Sequence, residues 1–332
     1  MIIIRFAEIG LKGKNRAFFE KTLVNNIKAC LDAHKIEYKN ITRPMGRVLI
    51  AADDPCKCLE CVFGIASFSD AVGAGFNMEQ IKKEALKLAK DLTPKKSFRI
   101  TCQRLDKRFP LTSQQFDIEL GAFIQEKTNA KVKMKGFDLN IRAEIIDGFV
   151  YLFTEKIKGL GGLPVGVEGK VIVLLENEAS LLAGLFMMKR GCHIIPVAVK
   201  NRHPHTGCRV CKTNKKKGVF DTQNSTNKRF LSTTDSTEVT KDERVEFCCF
   251  KEMDISLLQK YAFGTKVELK IIKDISDIDA LAKEHKAKAV TVSDLLDTMK
   301  EYDINTKVFR PLIAYEPKEI VEELNGFRQR VC

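Results

Sequence analysis

The chain carries no apolar run long enough to cross a bilayer, and its opening stretch, MIIIRFAEIGLKGKNR, is interrupted at Arg5, too early for a signal peptide. These absences exclude a membrane-spanning helix and a secretory leader, and lead us to expect a cytoplasmic protein without membrane contact. Tryptophan is also absent, which excludes nothing. A third absence is local. Val171 to Gly191, VIVLLENEASLLAGLFMMKRG, reads as an apolar strand, a sharp polar turn and an apolar helix, a layout in which nucleotide phosphates commonly sit, but its turn has no glycine. Phosphate cradles need backbone N–H groups that approach the anion closely and a helix N-terminus free of competing negative charge. Glu176 and Glu178 occupy this turn instead.

At 332 residues the chain has length for two or three domains, each with its own core. A formal net charge of +13 favours a polyanionic partner, because clustered Lys and Arg release the counterions condensed on phosphates. Eleven cysteines without a secretory signal point to a reducing compartment, where they serve as buried small residues, metal ligands or redox thiols.

Hydrophobic periodicity divides the chain into three parts. In the first, residues 1–75, the strand MIIIRFAEI precedes a helix over Asn15 to His34 with Phe18, Phe19, Leu23, Ile27 and Leu31 at helical spacing. The strand GRVLIAA, a short turn through Cys56 to Phe63, and the strand IASFSDAVGAG complete a small ferredoxin-like α+β unit. In the second part, residues 76–165, a helix bearing Ile81, Leu86 and Leu88 leads to the strand KSFRITCQR and a helix over Ser113 to Asn129, with Ser113 as its expected N-cap. The strands DLNIRAEII and GFVYLFTEKI then join across Asp147-Gly148, a hairpin dipeptide. After the connector GLGGLPVGVEG, residues 166–332 alternate strand and helix, the mark of a doubly wound parallel sheet. One stretch breaks that pattern: residues 201–246, polar and without periodicity, read as a long mobile loop or insertion.

Two basic clusters stand out. Arg5, Lys12, Lys14 and Arg16 surround the first strand and the start of its helix; Arg104, Lys107 and Arg108 sit between the RITCQR strand and the next helix. Either could be an ordinary solvated surface, or a phosphate-contacting edge that positions RNA by shape; in the second cluster Asp106 could equally be a local ion-pair partner. Cys208 and Cys211, in CRVC, suit zinc, an iron-sulfur cluster or a redox disulfide, with His203, His205, Cys248 or Cys249 available to complete a ligand set. In CKCLEC, Cys58 and Cys61 share one helical face and read as buried small hydrophobes.

The order of these motifs resembles the tRNA 4-thiouridine synthase family, the ThiI-type tRNA sulfurtransferases. The resemblance is carried by RFAEIGLKGKNRAFFE, by RLDKRFPLTSQQFDIELG, which is similar to the signature of THUMP RNA-binding domains, and by GLGGLPVG, MMKRG and FRPLIAYEPKEIVE. It implies that the ferredoxin-like and THUMP domains grip tRNA. It also implies an ATP pyrophosphatase domain that adenylates a uridine oxygen before a sulfur donor protein replaces it, with ATP and Mg²⁺ as cofactors. A homodimer is a candidate assembly. The family's nucleotide loop reads Ser-Gly-Gly-x-Asp-Ser. Aligning on MMKRG without gaps sets Leu175, Glu176, Asn177, Glu178, Ala179 and Ser180 against it, and only the final serine matches. Downstream, Ser293-Asp294-Leu295-Leu296 stands where the family has Gly-Glu-Ser-Leu-Gly-Gln, and no C-terminal rhodanese-like domain is expected. The expectation is a tRNA-binding member of the family with impaired ATP chemistry. The alternatives are an active divergent sulfurtransferase that makes 4-thiouridine and, within it, a turn that binds Mg²⁺ through Glu176 and Glu178.

Overall fold

The computed structural model describes residues 1–44, 46–200 and 254–330, arranged as three five-stranded sheets. The long segment expected over 201–246, together with Cys208 and Cys211, lies outside the described residues. In the first sheet the order is β10(Ile157–Lys158), β4(Ser67–Asp70), β1(Ile2–Arg5), β3(Val48–Ala51), β2(Asn40–Thr42), with all pairs antiparallel. Helix α1(Arg16–Ala33) covers one face, burying Phe19, Leu23, Ile27, Cys30 and Leu31 against Ile2, Ile4, Val48 and Ile50. Phe18, expected on that face, is 55 % exposed.

The unbroken apolar run at the N-terminus has a direct cause. Successive strand side chains point to opposite faces. Ile2 and Ile4 enter the α1 core, while Ile3 packs with Leu49 and Ala71 against Ile146, Tyr151 and Phe153 of the second sheet. The first sheet is thus buried on both sides, which a strand with one polar face could not satisfy.

The second sheet has the order β5(Val72–Gly75), β9(Phe149–Phe153), β8(Leu139–Ile146), β6(Ser97–Arg104), β7(Lys131–Val132), and α2(Met78–Leu88) and α3(Ser113–Thr128) cover it. Asp147 and Gly148 both have positive φ, 46° and 84°, as the tight turn between β8 and β9 requires. The N-cap of α3 is Thr112 rather than Ser113. Its hydroxyl accepts from the Gln115 N–H at 3.2 Å, and Gln115 Oε1 accepts the Thr112 N–H at 2.9 Å. Two strands cross the divisions expected from the sequence. The stretch IASFSDAVGAG splits after Asp70, so that β4 belongs to the first sheet and β5 to the second, and β10 returns from beyond β9 to pair with β4.

The third sheet is parallel, in the order β13(Lys270–Ile272), β12(His193–Val199), β11(Lys170–Leu174), β14(Ala287–Thr291), β15(Val308–Phe309). Val171 and Val173 of β11 face α4(Ala179–Lys189), α5(Ser256–Lys260) and α7(Pro317–Gln329), whereas Ile172 and Leu174 face α6(Asp277–His285). Helices therefore cover both faces, as the alternating pattern predicts. After β14 the expected helix is only a one-turn 3-10 segment, Leu296–Thr298. In the connector, Gly162 has φ 72°, and a Cβ there would collide with the carbonyl of Lys189, which accepts the Leu163 N–H at 2.9 Å. Among the described residues no helix is long and apolar enough to cross a membrane.

One buried carboxylate ties the first two sheets together. Glu144 of β8, 4 % exposed, accepts from Arg5 Nε of β1 at 2.5 Å and from Arg47 Nε, beside β3, at 2.6 Å. Arg5 also donates to Ser69 Oγ at 3.0 Å and lies over the Phe153 ring. Removing one partner of a buried ion pair strands the other charge and costs about 3–5 kcal/mol. Glu144→Ala is therefore expected to lower the unfolding free energy by about that amount in urea denaturation, and Arg5→Met in the same chain should restore part of it. A loss below about 1 kcal/mol would mean that the pair does not join the sheets.

Candidate functional site

The seven basic residues singled out in the sequence fall into three environments. Arg5 is 6 % exposed and paired with Glu144; burial lowers its pKa, and Glu144 opposes that shift. It faces the interior between two sheets. Lys12 and Arg16 are half-buried and Lys14 is exposed, all where β1 leads into α1. Lys12 pairs with Glu168 at 3.0 Å and sits over the Phe19 ring, and Arg16 pairs with Glu20 at 2.7 Å. Since Glu168 belongs to the segment entering the third sheet, and Arg190 after α4 pairs with Glu8 at 3.6 Å, this cluster lies at the junction of the first and third sheets.

Arg104, Lys107 and Arg108 occupy a different place. An open cleft of about 730 Å³ is lined by Pro44 of the first sheet's β2–β3 loop and by Leu105, Asp106, Lys107, Arg108, Ile146 and Asp147. Arg104 reaches the Lys107 carbonyl at 2.5 Å, and Arg108 forks onto Asp106. The Arg108 side chain and N–H, together with the Gly148 N–H, hold the Asp106 carboxyl well below the usual carboxylate range. Asp106 thus serves as the local ion-pair partner that shapes this turn, and it presents Lys107 and Arg108 to solvent. Phe109 is the buried anchor behind them, edge-on to Phe76 at 5.0 Å and near Phe116 at 5.8 Å.

At the strand-to-helix turn, the residues Leu175 to Ser180 fold onto one another. Leu175 is buried, and its N–H extends the strand ladder to the Val197 carbonyl at 2.8 Å. The N–H groups of Glu176 and Asn177 point at the Ser180 hydroxyl, at 3.1 and 3.3 Å. Asn177 Oδ1 accepts the Ser180 N–H at 3.2 Å and the Ser293 hydroxyl at 3.1 Å. Ser180 is fully buried and its hydroxyl lies 3.1 Å from that of Ser293. Ala179 opens α4 and is packed against the core under it.

The two glutamates diverge. Glu178 pairs with Arg328 of α7. Glu176 turns toward the loop after β14, where Lys300 Nζ lies at 3.4 Å and Tyr302 Oη at 3.2 Å. Tyr302 Oη also lies 2.9 Å from Asp294 Oδ1, and Asp294 Oδ2 accepts from Arg310 Nε at 3.1 Å. Burial, and then the neighbouring Glu176 and Asp294 carboxylates, push the Tyr302 pKa upward. The turn and the Ser293–Asp294 segment, which are separate in sequence, therefore form one network, with two carboxylates set against Lys300 and Arg310.

Sequence reasoning singled out both ends of this network but not Lys300, Tyr302 or Arg310. Lys300 and Tyr302 lie in the loop beyond the parallel strand β14, where ligands bind in such folds, and Arg310 follows β15 within the FRPLIAYEPKEIVE run. Glu144 is the one carboxylate within β8, Leu139–Ile146, and stands among its apolar residues in the sequence. For metals, Cys208 and Cys211 lie outside the described residues, while Cys30, His34 and Cys58 come together in the first domain.

Known proteins give this geometry a context. Residues 1–69 match the ThiI ferredoxin-like domain, residues 76–155 the THUMP domain and residues 166–325 the thiamine biosynthesis protein ThiI. The solved structure of PH1313 from Pyrococcus horikoshii superposes with a TM-score of 0.74 at 29% identity, over 98% of this chain and 99% of that one. A 4-thiouridine synthetase crystallised with RNA and bound ATP shares the fold, with a TM-score of 0.69 at 23% identity over 98% of this chain and 84% of that one. A probable tRNA sulfurtransferase of Bacillus licheniformis is 32% identical over 97% of this chain and 80% of its own length. Another, from Thermococcus kodakarensis, is 31% identical over 97% of this chain and 86% of its own length. With three domain matches in order and relatives of this identity along almost the whole chain, the protein belongs to the ThiI-type tRNA sulfurtransferase family, the 4-thiouridine synthases.

Proposed function

We propose that this chain is a tRNA-binding member of the family whose ATP chemistry is impaired. The reading rests chiefly on the Ser180 hydroxyl, which takes up the Glu176 and Asn177 N–H groups that a phosphate would need. An anion entering this turn would have to break those bonds, separate Asn177 from Ser293, and approach Glu176 and Asp294. The divergence of Glu176 and Glu178 argues against a joint Mg²⁺ site there.

In this reading residues 1–75 and 76–165 supply RNA affinity, while residues 166–332 keep the pyrophosphatase architecture. Lys107 and Arg108 at the cleft, with Arg104 behind them, and Lys12, Lys14 and Arg16 at the other junction would contact the tRNA backbone. Arg5 supports this surface from beneath through Glu144. Shape-based recognition of folded RNA suits such phosphate contacts better than base readout does. A soluble cytoplasmic setting and a separate sulfur donor protein complete the proposal, and a homodimer is left to sedimentation analysis.

Two outcomes are expected. Lys107→Ala should weaken tRNA binding and lower the slope of log K against log salt by roughly 0.7–0.9, the share of one phosphate contact. An unchanged slope, measured by filter binding across a salt series, would remove this residue from the RNA surface. Incubation of the protein with ATP, Mg²⁺ and unmodified tRNA should release no pyrophosphate above the level without tRNA. Release that depends on tRNA would establish the alternative, an active divergent sulfurtransferase forming 4-thiouridine.

A further inference from the structure

We propose that Cys30, His34 and Cys58 form a binding site for a zinc-class divalent cation in the ferredoxin-like domain, separate from the CRVC pair. One ring nitrogen of His34 and the two sulfurs lie within 4.8 Å of one another. In a tetrahedral zinc site, with Zn–S near 2.3 Å and Zn–N near 2.0 Å, ligand atoms sit roughly 3.5–3.8 Å apart. The Cys30 Sγ to His34 Nδ1 distance is 3.9 Å, so only a small contraction around an ion is needed.

Placement of the three groups follows from the fold. Cys30 and His34, four residues apart, stack on one face at the end of α1, with His34 in the C-cap position. Cys58 is brought to them by the one-turn 3-10 segment Lys57–Cys61. That segment starts from Cys56 in the left-handed region (φ 52°), a turn held by the Cys56 N–H donating to Asp54 Oδ1 at 2.6 Å. The ring of His34 is already oriented. Its Nδ1 lies 2.7 Å from the Cys30 carbonyl, and its face packs near Phe263 at 6.0 Å between centroids. Nδ1 is also the nitrogen 3.9 Å from Cys30 Sγ, so an ion bound there would take the place of the carbonyl contact.

Ordinary burial of small thiols accounts for Cys30 and Cys58, which are 0 % and 5 % exposed. It does not account for an imidazole converging on both sulfurs. Cys30 Sγ donates to the Cys58 carbonyl at 3.5 Å and lies 3.9 Å from His34 Nδ1. Two thiolates and an imidazole select a soft or borderline ion over Mg²⁺. His34 is half-buried, so the fourth position is open to a water molecule on that side. Because Phe263 precedes the third sheet's β13, a bound ion would stiffen the junction between the ferredoxin-like domain and the pyrophosphatase-like domain.

The test uses the full chain carrying Cys208→Ser and Cys211→Ser, which removes the other thiol pair, purified under reducing conditions without chelator. Elemental analysis should find about one zinc per chain, and Co²⁺ added after chelator treatment should give the near-ultraviolet thiolate-to-cobalt absorption of a sulfur-ligated site. His34→Ala or Cys58→Ser in this background should weaken Co²⁺ binding at least about tenfold, while Cys102→Ser, in the second sheet, should leave it unchanged. If the cysteine variants do not fold, the parent chain alone decides. Absence of zinc together with absence of the cobalt absorption would overturn the site, as would Co²⁺ binding that survives His34→Ala and Cys58→Ser unchanged.

Discussion

Glu144 is the constraint on which the first two domains depend. Its carboxylate is buried between two guanidinium groups from the neighbouring sheet, and Ile3, Leu49, Tyr151 and Phe153 surround the junction with apolar surface. Buried ion pairs contribute little net stability compared with apolar replacements, but a broken one is costly, so any packing of the two sheets that parts these charges is penalised. Arg47 extends it toward Gln103, which it reaches at 2.9 Å, next to Arg104 at the end of β6. The cleft that displays Lys107 and Arg108 is therefore shaped from below by the same interaction that joins the sheets.

In the third domain two effects could underlie the proposed closure of the strand-to-helix turn. Charge is the first candidate: at an effective dielectric near 20, two like charges about 4 Å apart repel by roughly 4 kcal/mol. That repulsion is tempered here, because Lys300 stands beside Glu176, Arg310 beside Asp294 and Arg328 beside Glu178. The stronger obstacle is the hydrogen-bond network. The donors that would greet a phosphate are already satisfied by Ser180, and Asn177 and Ser293 fill the space behind them. Opening the turn gives up several hydrogen bonds, each worth about 0.5–1.5 kcal/mol net, and strands a fully buried hydroxyl.

Much of this was legible in the sequence. The strand-helix alternation after Gly169 gave a parallel sheet covered on both faces, the unbroken MIII run fits a doubly buried strand, and Asp147-Gly148 marked its hairpin. Strand partners were not legible. Nothing local in IASFSDAVGAG says that it divides between two sheets after Asp70, because pairing between strands this far apart in the chain is decided by burial in the assembled fold. The cap expected at Ser113 sits one residue late, and Thr112 with Gln115 three residues on carries the capping-box signature. The composition of the turn at Leu175 to Ser180, two glutamates and no glycine, is the sequence basis for the proposed departure from a phosphate cradle. Lys300 and Tyr302, which reach Glu176, come from the loop after β14 more than a hundred residues away, and Arg310, which reaches Asp294, follows β15; only the fold brings them to the turn.

Calorimetric titration of the unaltered chain with ATP and Mg²⁺ bears most directly on the central claim, that the strand-to-helix turn is closed to phosphate. No heat of binding at ATP concentrations up to about a millimolar, the upper end of ordinary enzyme affinities, is the predicted result. A saturable isotherm with micromolar affinity, lost on Ser180→Ala or Ser293→Ala, would place the nucleotide in that turn and contradict the account.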